Sequence, residues 1–182
     1  MTTTNGGGVR VSEYFLLCLT QPSLEFLDVH IDADTRVFVD PHAFRFLKTD
    51  WAIESVALLE NFYDRLLEAV RRRDRVAATA LLQYSGESNE AHLGLSSHES
   101  RGSGVGTGLA DDLYDALVGS RAVLTGTAED LKETALFVPG ILHDRISDMT
   151  NNVVRSQLIE FTQETSRRHR IPLTASVASG PM

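Results

Sequence analysis

The amino-acid sequence predicts a mainly helical α+β domain, with one β-hairpin packed on a bundle of about five to six helices, and three observations carry that expectation. Apolar residues recur every three to four positions over much of the chain, as they do on the buried stripe of a helix. Between Leu27 and Pro41 the period changes to two, the spacing of a half-buried strand. The 182 residues, 42% hydrophobic and 23% charged, are enough for one core without disulfides or a structural metal.

Each element follows from local chemistry. Residues 1–10 are expected to be a disordered tail, because Met1 to Gly8 offer nothing to bury. A single globular domain is expected over 11–172, followed by a flexible tail over 173–182. Ser12 can cap a short helix running through Leu19 and stopped by Gln21-Pro22, with Cys18 as a small buried side chain. The hairpin sets Val29 and Ile31 against Val37 and Val39 across the turn formers Asp32 to Thr35, and this register brings Asp28 opposite Asp40. Asp50 can cap a central core helix from Trp51 to about Arg73, whose Arg71-Arg72-Arg73 end complements the helix dipole. A short helix from Val76 to Tyr84 is expected next. Residues 85–108 lack periodicity and read as a long irregular loop. Helices follow over 109–123 and 128–136, the second opened by Thr127 with Asp130 three residues on. After the Pro139-Gly140 turn, a last helix starts near Asp144 or Ser147 and continues to about Arg168.

Composition excludes several function classes. One cysteine makes neither an intramolecular disulfide nor a cysteine zinc site. No apolar run approaches the roughly 20 residues of a membrane span, and no basic segment precedes a cleavable apolar one, so a cytoplasmic protein without membrane partners is expected. The net charge of −8 disfavours a broad DNA-coating face, although 151–182 carry 4 Lys and Arg against 2 acidic residues. There is no Gly-x-Ser-x-Gly elbow for acyl transfer.

Three constellations remain. On the hairpin, alternation gathers Asp28, His30 and Asp40, with His42 just beyond; opposed carboxylates need a cation between them, and a divalent metal there could activate water. The same residues also fit a helix cap at Asp40 and a solvated Asp28. On the last helix, Asp144, Asp148, Asn151 or Asn152, and Arg155 fall at steps of three and four, a stripe able to offer two carboxylates to a metal and an arginine to a phosphate, or to face solvent. The glycine run Gly102, Gly104, Gly106 and Gly108 could cradle an anion, but it has no P-loop lysine, and its better use is as a flap that orders on binding a ligand or partner.

Val39-Asp40-Pro41-His42, Ala91 to Ser96 with Gly104-Val105-Gly106, and Phe137 to Thr150 together resemble an uncharacterised group of bacterial proteins. The resemblance covers about residues 24–172, implies encoding beside restriction or phage-defence genes, and brings no activity or catalytic residues with it. Members of the group are longer, which implies that this chain is truncated from a larger architecture.

Two readings stay open. In the first, the protein is a cytoplasmic defence-associated phosphodiester hydrolase: Asp40, Asp144 and Asp148 hold Mg²⁺ or Mn²⁺, His42 is a ligand or base, and Arg145 and Arg155 clamp phosphate. The residues prescribe no cofactor beyond what that reading requires. In the second, it is a non-enzymatic assembly module that binds another protein or a second copy through apolar helix faces and the glycine loop. Nucleic acid enters only through a local basic site.

Overall fold

The computed structural model of the protein describes residues 8–33, 35, 37–83, 107–126 and 143–175. They gather into two compact units, one of the described residues up to Val37 and from Ile159 onward, the other of those between Phe38 and Leu158. The described α-helices are α1 (Val11–Tyr14), α2 (Asp50–Arg71), α3 (Arg75–Leu82), α4 (Thr107–Gly119), α5 (Arg121–Leu124), α6 (His143–Val153) and α7 (Arg155–Arg168), with 3-10 turns at Gln21–Ser23 and Pro41–Phe46. Residues 85–106 of the expected 85–108 loop, with Gly102, Gly104 and Gly106, the helix over 128–136 and the Pro139-Gly140 turn lie outside the described residues, as do the outer ends of both tails, while Thr107 and Gly108 begin α4.

Within the Phe38–Leu158 unit the core is built on α2. Its buried positions Ala52, Ser55, Leu59, Tyr63, Leu66, Leu67 and Val70 recur at helical spacing, so one face is apolar but for Ser55, whose hydroxyl donates to the Trp51 carbonyl. Against that face lie Ala78 and Leu82 of α3, Leu113 and Leu117 of α4, Val123 of α5, and Ile146 and Met149 of α6. Asp74 caps α3 by accepting from Ala77 N–H at 3.0 Å. Arg75 then joins α3 to α4, pairing with Asp111 and Asp115 and lying 4.5 Å over the Tyr114 ring. The expected central helix and the long C-terminal helix are both present. The latter is interrupted at Val154, yet the Val154 N–H to Thr150 and Leu158 N–H to Val154 bonds, both 3.0 Å, carry the helical ladder through.

The expected α+β class is overturned, because the described residues contain no strand and no hairpin. Val29 to Ile31 is extended, as its alternation indicates, but it meets a different partner. Val11 N–H donates to Val29 at 3.0 Å and Ile31 N–H to Val9 at 2.9 Å, around a lone antiparallel bridge between Arg10 and His30. The second arm spends its donors elsewhere: Val37 N–H turns back on the Thr35 carbonyl at 2.7 Å, and Val39 N–H goes to the Ser147 hydroxyl at 2.9 Å. A backbone that satisfies its donors in this way has none left for a ladder.

The first helix is also shorter than expected. It ends at Tyr14 because Leu16 adopts φ 52°, and the Leu17 N–H to Ser12 and Leu16 N–H to Glu13 bonds close a Schellman motif. Cys18, itself at φ 54°, is therefore exposed rather than buried. No helix among the described residues is long and apolar enough to cross a membrane.

Candidate functional site

The best-supported site lies where the segment after Phe38 meets α6. Pro41 ends the extended backbone and starts a 3-10 turn, which Asp40 caps by accepting from His42 N–H at 2.9 Å. One residue earlier, Val39 N–H donates to the buried Ser147 Oγ of α6. Bond lengths across that contact hold the α-carbons of Asp40 and Asp148 within about 14 Å of each other. Asp148 is drawn inward, its side chain 15% exposed, and pairs with Arg145 one turn back at 3.7 Å. Asp144 belongs to the same helix, four residues before Asp148, and Arg155 opens α7, half-buried.

Of the predicted stripe, Asn151 is buried and Asp148, Asn152 and Arg155 are half-buried. Ser147, Thr150 and Asn151 are all buried. Thr150 Oγ1 donates to the Ile146 carbonyl at 2.6 Å, and Asn152 Nδ2 to the Asp148 carbonyl at 3.0 Å. Asn151 Oδ1 is a buried side-chain oxygen with no hydrogen-bond partner among the described residues. Ser147 had not been singled out as a site residue. Its signal was its place on the polar side of the helix, four residues before Asn151.

His42 faces a shallow pocket with Pro41, Arg45, Val56, Leu59, Glu60 and Tyr63, across which Arg45 and Glu60 pair at 3.1 Å. The pocket's volume of about 30 Å³ admits water but is far below the roughly 300–1,000 Å³ of a small-molecule site. The Tyr63 hydroxyl beneath it meets Met149 Sδ at 3.9 Å, and burial pushes its pKa up, so it stays protonated.

The other predicted positions have surroundings of their own. Asp28 belongs to the unit ending at Val37, where its buried carboxylate accepts from Ser12 N–H and Oγ–H at 2.9 and 2.6 Å. His30 Nδ1 lies 2.8 Å from the Gly8 carbonyl. Gly108 is the second residue of α4. No group of three or more His, Cys, Asp or Glu side chains among the described residues is arranged to hold a metal ion. A second ionic cluster, in the unit with α7's C-terminal part, joins Glu25 to His169 and Arg168, each at 2.9 Å. The His169 hydrogen bond, with help from Arg168, holds the Glu25 pKa below its ordinary value.

No curated protein and no solved structure matches the chain. A family model described as a domain of unknown function, DUF8370, does match it over residues 17–182, in keeping with the resemblance to an uncharacterised group, and the chain belongs to that family.

Proposed function

We infer that the protein is a bacterial cytoplasmic defence protein that hydrolyses phosphodiesters with Mg²⁺ or Mn²⁺. The observation supporting this reading is the Val39–Ser147 bond, which ties the Asp40–His42 segment to the acidic, inward-turned helix α6. Asp40, Asp144 and Asp148 are the metal ligands, His42 is a ligand or the base that takes a proton from water, and Arg145 and Arg155 hold the phosphate. Among the described residues the carboxylates form no ready cluster, so a divalent ion bound here would have to bring its ligands together. Nucleic acid is then a substrate at a local site. The defence role rests on the resemblance to that bacterial group alone.

Calorimetric titration with Mn²⁺ and Mg²⁺ tests the reading, alongside hydrolysis of bis(4-nitrophenyl) phosphate. The wild type is expected to bind and turn over, and Asp144→Ala to do neither. Absence of both binding heat and turnover in the wild type sinks the reading. Phage plaque counts on cells expressing wild type or Asp148→Ala test the defence role separately.

A second reading, an assembly module, is favoured by the segment after α1. Left-handed Leu16 and Cys18 hold Tyr14 and Leu16 out at 61% and 82% exposure. Its partner is another protein or a second copy. Light scattering across a concentration series would show self-association that Leu16→Asp abolishes.

A further inference from the structure

A buried amide oxygen in water-excluded surroundings needs a donor or a cation, because an acceptor stripped of water and left unpaired destabilises the fold. On α6 the neighbouring polar groups have partners: Ser147 Oγ accepts from Val39 N–H, Thr150 Oγ1 donates to the Ile146 carbonyl, and Asn152 Nδ2 donates to the Asp148 carbonyl. Asn151 Oδ1, in a side chain 5% exposed, has no such partner among the described residues. An amide oxygen can only accept. Asn151 stands three residues after Asp148, a spacing that sets the two side chains on one face of the helix, with Asp144 one turn before Asp148. A neutral amide oxygen beside a carboxylate is the donor set of a hard divalent cation, which takes oxygen ligands of mixed charge.

We propose that Asn151 supplies the neutral oxygen ligand of a divalent-cation site on α6 whose charge comes from Asp148. This rests on the metal reading above and adds to it a ligand outside the acidic set. Asn151 Oδ1 would face the ion and Asp148 neutralise it, in competition with the Arg145 guanidinium 3.7 Å from the same carboxylate. The rival occupant of the amide's open position is a buried water, which leaves cation affinity indifferent to the residue at 151.

The test is Mn²⁺ titration of the full chain by calorimetry, with the Mn²⁺-induced shift in melting temperature as a second readout. Wild type is expected to bind, Asn151→Leu to lose at least tenfold in affinity along with the thermal shift, and Asn151→Asp to bind more tightly than wild type. The Asp variant keeps the proposal open to refutation if the Leu variant does not fold. Binding that is unchanged in Asn151→Leu but lost in Asp148→Ala overturns the Asn151 assignment and leaves the metal reading intact. Binding that depends on residue 151 without phosphodiester hydrolysis upholds the assignment and removes the hydrolase. No binding to wild type overturns both.

Discussion

Asp28 takes two hydrogen bonds from a single residue, the backbone N–H and the hydroxyl of Ser12, while its own N–H donates to Gln21 Oε1 at 2.8 Å. The carboxylate is thus a local lock for the chain around α1, and it is buried. Removing it strands the Ser12 N–H away from water, at a cost of about 1–3 kcal/mol. Asp28→Ala should lower the urea midpoint accordingly, and Ser12→Ala should lower it less, because the residue-12 N–H bond survives; a wild-type midpoint for Asp28→Ala would falsify the lock. Glu25 gives a pH-dependent counterpart. Its pKa is depressed in the fold, chiefly by the His169 hydrogen bond, so the stability it adds is present above its ordinary value of 4.5 and disappears as pH falls through the lower folded value. The Glu25 side chain keeps about 30% of its surface in contact with solvent, which keeps the effect small. Melting temperatures of wild type and Glu25→Gln are expected to differ at pH 6 and to converge toward pH 3. Curves that stay parallel over that range would show that Glu25 makes no such contribution. Neither contact was legible from the sequence, because Asp28 and Ser12 are 16 residues apart and Glu25 and His169 are 144 apart.

Helix ends show where the sequence misled and why. Three of them close in Schellman motifs on residues that carry a Cβ: Leu16 at φ 52°, Arg73 at φ 58° and Arg170 at φ 55°. A reader looking for glycine at these positions finds the stop of α1 too late, at Leu19 instead of Tyr14. The interior of α2 was legible because burial at three- and four-residue steps is a property of the helix itself. The hairpin was not, because alternation identifies an extended segment and leaves its partner unnamed; here Val9 to Val11 won over Val37 to Val39. Half of the candidate site was legible in the same sense: the spacing of Asp144, Asp148 and Asn151 shows a common face, while its burial depends on what covers it. The strained caps carry a prediction. Left-handed backbone costs a Cβ-bearing residue about 1–2 kcal/mol, and glycine's greater freedom in the unfolded chain offsets about 0.4–1 of that. Losing one guanidinium from the helix end forfeits about 0.3 kcal/mol more. Arg73→Gly should therefore stabilise the protein by about 0.5 kcal/mol while Arg73→Ala leaves it near wild type, read as denaturant midpoints. The opposite order would mean that the Arg73 side chain supports the fold through its own contacts.

At the scale of the whole chain, the core cluster lies between Phe44 and Val154, inside one of the two units, and the other unit is held by polar locks such as Asp28 and Glu25. Charge is distributed by the same division of labour. The densest basic run is committed to a helix end: Arg71 Nε donates to the Val123 carbonyl at 3.1 Å, Arg72 pairs with Glu68 at 2.6 Å, and Arg73 forms the left-handed cap. With a net charge of −8, a nucleic-acid substrate meets the protein through Arg145 and Arg155 alone in the hydrolase reading. Each neutralised phosphate releases counterions, giving a slope of about −0.9 in log K against log salt, so two contacts give about −2. Binding of a short DNA duplex between roughly 50 and 200 mM salt is expected to follow that shallow slope, and Arg145→Gln to reduce it by about one. The variant Arg72→Gln should leave the slope unchanged. A slope near −5, or one that falls when Arg72 is replaced, would place the contact on the α2 end and remove the α6 arginines from phosphate recognition.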